Sequence, residues 1–206
     1  MRPYLGVRYM TRQYWRPSNL LNPVPAVLIS CCDGQGKDNV MTAAWAGTVC
    51  SDPVMVSVSI RKERYSHAMI LETKEFVMNL TTERLTKFTD FVGVRSGRDI
   101  DKFNLEGDLK VTKSASKMVK APSIEESPVC LECKVKEVIE LGTHDMFIAQ
   151  VVATSVDDQY LDEKGRLDLK KAGLIAYSHG EYYALGDKLG KFGYSVQKKK
   201  KRKKAR

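Results

Sequence analysis

The stretch DPVMVSVSI, residues 52–60, carries the clearest secondary-structure signal in the chain. Its large β-branched side chains fall on alternate positions, so that one face of an extended chain carries Val54, Val56, Val58 and Ile60. Alternation with period 2 is typical of a β-strand with one face in the core. The stretch therefore predicts a strand, and the segments on both sides of it give signals of their own.

Further strand signals occupy residues 23–32, 75–80, 109–114, 129–139 and 146–156, with a short strand pair inside 173–187. Two helices are predicted between them, one over 65–75 with Ser66 as its N-cap and an amphipathic one over 81–93. No strand–helix–strand alternation recurs, which argues against a doubly wound parallel sheet. We therefore predict a mainly β fold with inserted helices, built on an antiparallel barrel.

The stretch GKDNVMTAAWAG, residues 36–47, precedes the first strand described above and is unusually apolar for a connection. We interpret it as a loop in which small residues surround a single indole, that of Trp45. Small side chains allow the backbone to approach another molecule closely. Thr42 adds a hydroxyl group to the same segment.

The segment RKERYS, residues 61–66, provides a candidate anion site with Arg61, Arg64 and Ser66. A helix N-terminus has unpaired N–H groups and a positive partial charge, and guanidinium groups bind phosphate through paired hydrogen bonds. A flat slot beside a phosphate site suggests a phosphorylated aromatic cofactor. The pattern alone also fits a tight core loop next to a surface cluster of basic residues.

The net charge of +9 is concentrated at one end of the 206-residue chain. Residues 198–206, KKKKRKKAR, hold eight of the 34 basic residues, and the remainder nearly balances the 25 acidic ones. Such a run predicts a disordered tail that either solubilises the protein or seeks RNA, DNA or acidic lipid. We divide the chain into an N-terminal extension (1–22), one domain (23–197) and this tail (198–206).

No apolar run is long enough to span a bilayer, and the basic N-terminus has no apolar core of a signal peptide. These features predict a cytoplasmic protein whose five cysteines are reduced thiols. Cys130 and Cys133 form a C-x-x-C, but period 2 places them on opposite faces of a strand, which argues against a metal site. Nucleic-acid modules, P-loops and dinucleotide fingerprints are absent from the body of the chain.

Taken in order, several segments resemble the flavin reductase-like family, the FMN-binding split barrels that include flavoredoxin. The segments span about residues 20–197 and are PVPAVLIS, GKDNVMTAAWAGTVCSDPVMVSVSIRKERYSHAMI, EFVMNL, SGRDIDKF, IEESPVCLECKV, LGTHDMFIAQVV and GEYYALGDKLGKFGYSV. The resemblance implies a six-stranded antiparallel split β-barrel with flanking helices. It also implies a homodimer with FMN near the subunit interface.

The same resemblance implies three groups of cofactor-binding residues. Those expected along the flavin ring are Asn39, Val40, Met41, Thr42, Ala43 and Trp45, with Thr48 and Cys50 following in the same wall. Those expected near the ribityl phosphate are Arg61, Arg64 and Ser66. Lys102 and Phe103 are expected to approach the cofactor, from this chain or from a partner subunit.

The family resemblance implies that electrons pass from NADH or NADPH through bound FMN to a flavin, a protein or another acceptor. The flavin itself would carry the hydride chemistry. The alternative is a flavoredoxin-type electron carrier that is reduced by a protein donor. His144 either helps to position the nicotinamide or simply caps a hairpin.

Overall fold

The computed structural model describes residues 12–197, and its main sheet joins seven antiparallel segments. The strands of the described chain are β1 (Val24–Pro25), β2 (Val27–Cys32), β3 (Asp38–Ala43), β4 (Ala46–Ser51), β5 (Val54–Arg61), β6 (Glu75–Leu80), β7 (Lys113–Ser114), β8 (Ser123–Ile124), β9 (Val129–Glu140), β10 (His144–Val156), β11 (Ile175–Ser178) and β12 (Glu181–Ala184). The helices are α1 (Tyr65–Thr73) and α2 (Thr86–Val94), and 3-10 turns occupy Glu83–Leu85, Gly107–Leu109, Asp158–Tyr160 and Tyr194–Val196.

The order of the main sheet, β3-β2-β6-β9-β10-β5-β4, closes on itself. Strands β3 and β4 stand at its two ends, yet only Ala44 and Trp45 separate them in sequence. Strand β3 pairs with β2, whereas β4 pairs with β5. The Ser59 N–H also donates to the Trp45 carbonyl at 2.9 Å. The two segments are therefore halves of one bent strand, and the sheet is the predicted six-stranded split barrel.

The interpretation of residues 36–47 as a loop is wrong, because most of them belong to β3 and β4. Val27 pairs with Ala43 and Cys32 with Asp38, so β3 is in register with β2 along its whole length. Val40, Met41 and Ala43 are buried. Their apolar character, unusual for a loop, reflects their place in the barrel core and beneath α2.

Most other predicted elements are confirmed within a few residues. Residues 75–80 form β6 as predicted, and the predicted strands at 129–139 and 146–156 are slightly longer as β9 and β10. The prediction for 109–114 was wrong in length, since only Lys113–Ser114 is a strand. The proposed N-cap was also wrong, because Arg64 precedes the helix and Ser66 lies buried in its first turn.

Two hydrophobic clusters form most of the core. The first fills the barrel and includes Ile29, Val58, Phe76 and Phe147. The second packs α2 against the outside of β2 and β3 through residues such as Leu28, Val40, Phe88 and Val92. The barrel side chains thus fix the position of α2, whose C-terminal end reaches the region described below.

The two cysteines of the C-x-x-C lie in different clusters, Cys133 inside the barrel and Cys130 with Val77 and Ala121. Their predicted placement on opposite faces of β9 is confirmed. Within residues 12–197 no group of His, Cys, Asp and Glu side chains is arranged to hold a metal ion. In the same range no helix is long and apolar enough to cross a membrane.

A separate three-stranded sheet, β1-β11-β12, contains the strand pair predicted around His179 and Gly180. Both turn residues have positive φ, 53° and 92°. This backbone suits a two-residue hairpin turn. The His179 N–H donates to Asn22 Oδ1 at 3.4 Å, which ties the hairpin to the segment before β1. The predicted tail (198–206) and the first part of the predicted extension lie outside the described residues, and the domain division stays a prediction.

Candidate functional site

A cleft of 410 Å³ opens where β3 bends into β4. Its walls come from the bend, from the ends of β5 and α2, from the start of β10 and from the β11–β12 hairpin. The lining residues on the bend are Met41, Thr42, Ala43, Ala44 and Trp45. The size is in the range of small-molecule sites, about 300–1,000 Å³.

Trp45 and His144 form one aromatic side of the cleft. Their ring centroids lie 4.6 Å apart with the planes inclined by 35°. The His144 Nδ1 is 2.9 Å from the Thr143 hydroxyl. Burial and then the positive charge of Arg61 lower the pKa of His144. At neutral pH this side of the cleft is therefore uncharged.

A second cavity of 520 Å³ continues from the cleft at the start of α1. The two cavities share Met41, Arg61, Arg64 and Val94 as lining residues. Five basic side chains line the second cavity, namely Arg61, Arg64, Arg95, Arg98 and Lys102, against the single acidic side chain of Glu63. Because of this surplus of positive charge, we call it the cationic pocket.

The start of α1 adds donors to the cationic pocket. The helix has no side-chain cap, and no acidic residue lies in its first turn. The first N–H groups of a helix have no partners within the helix, and they are oriented toward its N-terminal end. Tyr65 and Ser66, in this first turn, line the pocket. The helix terminus and the basic side chains together favour an anion.

Two arginines of the pocket are held by backbone carbonyls rather than by carboxylates. Arg64 Nη1 donates to the Gly93 carbonyl at 2.7 Å, and Arg98 Nη1 donates to the Glu63 carbonyl at 3.1 Å. Such bonds orient a guanidinium group without neutralising its charge. Arg61 contacts Glu63 at 3.4 Å, but both side chains are exposed, so this pair neutralises little.

Lys102 is a buried cation at the base of the pocket. Its Nζ donates to the carbonyls of Val40 and Val92, each at 2.8 Å. Burial and then the charge of Arg64 lower the pKa of Lys102 to about 8. The ammonium group thus links β3 to the end of α2 and holds the two walls of the site together.

Residues 96–98 pass closely over β3. Asn39 Nδ2 donates to Ser66 Oγ at 2.8 Å. A Cβ atom at Gly97 would lie only 2.2 Å from Asn39 Oδ1, so any other residue there would displace the buried Asn39 side chain or the backbone. This close approach brings Ser96 and Arg98 to the cationic pocket.

Ten of the residues predicted for the site line one or both cavities: Asn39, Met41, Thr42, Ala43, Trp45, Arg61, Arg64, Ser66, Lys102 and His144. Four others line neither. Val40 is buried in the α2 cluster, and Phe103 packs against the same cluster. Thr48 and Cys50 lie along β4 beyond the bend. For these four residues cofactor contact stays a prediction, since none of them lines either cavity in the single chain.

Sequence reasoning missed lining residues in two places. The SGRDIDKF segment matched the family, but its Ser96, Gly97 and Arg98 were not singled out. The strand pair at 175–184 was predicted without a role for Tyr177 and Tyr182, which line the cleft. Two sequence signals could have indicated them. One is a basic residue, Arg98, next to a glycine, and the other is a pair of tyrosines on either side of a turn.

A split barrel with an aromatic cleft beside a cationic pocket suits an aromatic ring that carries a phosphate. Residues 20–186 match the sequence model of the flavin reductase like domain. The chain therefore belongs to the flavin reductase-like family, and the predicted resemblance is confirmed.

Proteins with similar sequences or structures align with this chain over most of their length. A protein of Archaeoglobus fulgidus is 35% identical over 150 residues, which are 73% of this chain and 82% of that protein. Flavoredoxin of Desulfovibrio vulgaris (Miyazaki F) has a TM-score of 0.82 at 30% identity, covering 91% of this chain and 100% of its own. An FMN-binding protein from Thermus thermophilus, solved with bound 1-cyclohex-2-enone, has a TM-score of 0.70 at 25% identity, covering 86% and 95%.

Proposed function

We propose that the protein binds FMN and transfers electrons from NADH or NADPH, through the bound flavin, to a flavin or another acceptor. The observation that carries the proposal is the cationic pocket, in which five basic side chains surround the start of α1 and open into an aromatic cleft. The donor set fits a dianionic phosphate joined to a flat ring. Phosphate groups favour helix N-termini and guanidinium donors for the reasons given above.

The proposed roles of the side chains follow from their partners. Arg64 and Arg98 are held by backbone carbonyls and would direct their remaining N–H donors at the phosphate, with Ser66 and Arg61 beside them. Lys102 would position β3 and α2 through two of its three N–H donors, and the third would remain for the phosphate. When bound, the flavin would supply the hydride and electron chemistry, and the protein would bind and orient it.

His144 is proposed to help position the nicotinamide at the open side of the cleft. Its lowered pKa keeps it uncharged at neutral pH, and its ring already packs on Trp45. We expect His144→Ala to lower the rate of NADH or NADPH oxidation several-fold without loss of FMN. An unchanged rate would leave His144 with only a packing role at the hairpin.

The first test is spectroscopic. Purified protein reconstituted with FMN should show the visible absorbance band of oxidised flavin, and anaerobic NADH or NADPH should bleach it. Comparing the bleaching rates with the two nucleotides would also give the donor preference. Absence of the band after reconstitution would refute FMN binding.

A second candidate function is that of a flavoredoxin-type carrier reduced by a protein donor. It is favoured by the similarity to flavoredoxin of Desulfovibrio vulgaris, with a TM-score of 0.82. In this case FMN would bind, but neither nicotinamide nucleotide would reduce it at a useful rate. Dithionite would still bleach the bound flavin, which separates this outcome from failure to bind FMN.

We also propose that the protein is a homodimer. Large apolar side chains are exposed near the bend, with Trp45 at 45%, Val49 at 53% and Val54 at 49%. A second copy of the chain covering β4 and β5 would remove them from water. Light scattering after size-exclusion chromatography should give twice the 23.2 kDa chain mass, and a monomer at micromolar concentration would contradict the proposal.

A further inference from the structure

The β11–β12 hairpin forms a wall of the cleft to which the proposed cofactor roles assign nothing. Tyr177 and Tyr182 are directly paired across this hairpin, and their ring centroids lie 5.4 Å apart in an edge-to-face arrangement. Both rings are half-buried and both line the 410 Å³ cleft. The hairpin belongs to the small sheet, so this wall is built separately from the barrel.

Asp90 of α2 holds the outer edge of this wall. The Tyr182 hydroxyl donates to Asp90 Oδ1 at 3.4 Å, which links the hairpin to the helix. Burial, followed by the negative charge of Asp90, raises the pKa of Tyr182 to about 12. The phenol is therefore neutral at physiological pH. Tyr177 contacts the Tyr182 ring, and Asp90 holds its hydroxyl group.

The wall differs in chemistry from the cationic pocket. The hairpin contributes Tyr177, Gly180 and Tyr182 to the cleft, none of them charged, and the acidic side chain beside them is that of Asp90, which also lines the cleft. Trp45 and His144 line the same cleft from the barrel side, so aromatic rings line it from both the main sheet and the small sheet. Aromatic faces of this kind favour offset or edge-to-face contact with another flat ring.

We propose that Tyr177 and Tyr182 form the recognition wall for the second substrate, and that this substrate is a flat, conjugated, uncharged ring. Tyr182 is the specificity-determining residue, because its ring is fixed by both Tyr177 and Asp90. The inference rests on the proposed function, since it assigns the electron-exchanging partner at the same cleft. It favours a small aromatic or quinonoid molecule over a protein acceptor.

The test measures binding to FMN-loaded protein by titration calorimetry with a ligand that does not react, 2-naphthol. A saturated molecule of similar size, 2-decalol, shows whether flatness matters. Tyr182→Leu should weaken 2-naphthol binding about three- to tenfold, the range expected for one aromatic pair, and should leave 2-decalol unchanged. Tyr182→Phe keeps the ring and should bind 2-naphthol within about twofold of wild type.

Tyr183→Leu is the matched control, because Tyr183 is the next residue of β12, is 49% exposed and does not line the cleft. Tyr183→Leu should bind 2-naphthol and 2-decalol with the same affinities as wild type. Equal 2-naphthol affinity in wild type and Tyr182→Leu, with full FMN content in both, would overturn this inference alone. Loss of FMN from Tyr182→Leu but not from Tyr182→Phe would also overturn it, by assigning the wall to the cofactor. Absence of FMN binding in wild type would instead refute the proposed function.

Discussion

Arg64 connects the two cavities, because it lines both the cleft and the cationic pocket. Its guanidinium group is held at 2.7 Å by the Gly93 carbonyl and has no carboxylate partner among residues 12–197. A charge-assisted hydrogen bond contributes about 1.5–3 kcal/mol. We therefore expect Arg64→Ala to raise the dissociation constant of FMN about tenfold or more, measured by quenching of flavin fluorescence.

Arg84→Ala serves as the control for this prediction, since Arg84 is exposed and lines neither cavity. Its FMN affinity should equal that of wild type. Equal affinity in Arg64→Ala as well would show that the phosphate does not occupy the cationic pocket.

Lys102 gives a pH-dependent prediction for stability. Its pKa in the folded protein is about 8, below the ordinary value of 10.5. Between these values the unfolded chain binds more protons than the folded one, so the free energy of unfolding contributed by Lys102 rises with pH. Urea unfolding of wild type and Lys102→Met from about pH 8 to about pH 9 should show this rise, up to about 1 kcal/mol, only in wild type.

Well below pH 8 both the folded and the unfolded state carry the Lys102 proton, so Lys102 adds no pH slope to the free energy of unfolding there. Buried Cys31 and Cys133 have pKa values raised to about 12 by burial and contribute the opposite slope above their ordinary value of 9.0. The contribution of Cys133 cancels in the comparison of the two variants, and that of Cys31 cancels except for its charge interaction with Lys102. Lys110→Met, at an exposed site, should keep the wild-type slope, and parallel slopes for Lys102→Met would contradict a depressed pKa.

At the level of elements, the bend between β3 and β4 holds two neighbouring alanines that differ in packing. Both line the cleft, but Ala43 is also buried in the barrel cluster, whereas Ala44 is half-buried and lies outside that cluster. A bulky residue at Ala43 would overpack the core, at a cost of about 1–3 kcal/mol. Ala44 is therefore the better position for testing whether the bend contacts the cofactor.

We expect Ala44→Phe to reduce FMN affinity at least about tenfold, by filling the space in which the flavin ring is proposed to lie. Its melting temperature should stay close to that of wild type, because the new ring would project into the cleft. Ala43→Phe should instead lower the melting temperature, by several degrees for a domain of this size. Full flavin occupancy in Ala44→Phe would remove the bend from the proposed ring site.

The existence and type of the main elements followed from local patterns. Alternation in VMVSVSI predicted β5, the short run EFVMNL predicted β6, and the residues around His179 and Gly180 predicted the hairpin. The bend was missed because β3 begins with polar residues and contains Thr42, which blurs the alternation. Ser66 was wrongly predicted as the N-cap, because its hydroxyl accepts from Asn39, distant in sequence, rather than from a helix-end N–H.

For the whole molecule, the basic tail is separable from the proposed site. Deleting residues 198–206 should leave FMN content unchanged, because every cofactor residue proposed above lies within residues 12–197. Any binding of the full chain to RNA, DNA or anionic vesicles should weaken steeply with added salt and disappear in the truncated protein. Salt-dependent binding that survives truncation would locate the anion-binding surface in the barrel domain.

By itself, the sequence determined the type of most elements, the family and the clustering of basic residues near the start of α1. These depend on local periodicity, on helix-end chemistry and on an ordered series of motifs. Only the tertiary structure decided that β3 and β4 are one bent strand closing the barrel. It also brought Arg98 and Lys102 to the cationic pocket, and His144 and the hairpin tyrosines to the adjoining cleft. Strand register and packing between distant segments, rather than local preference, set those positions.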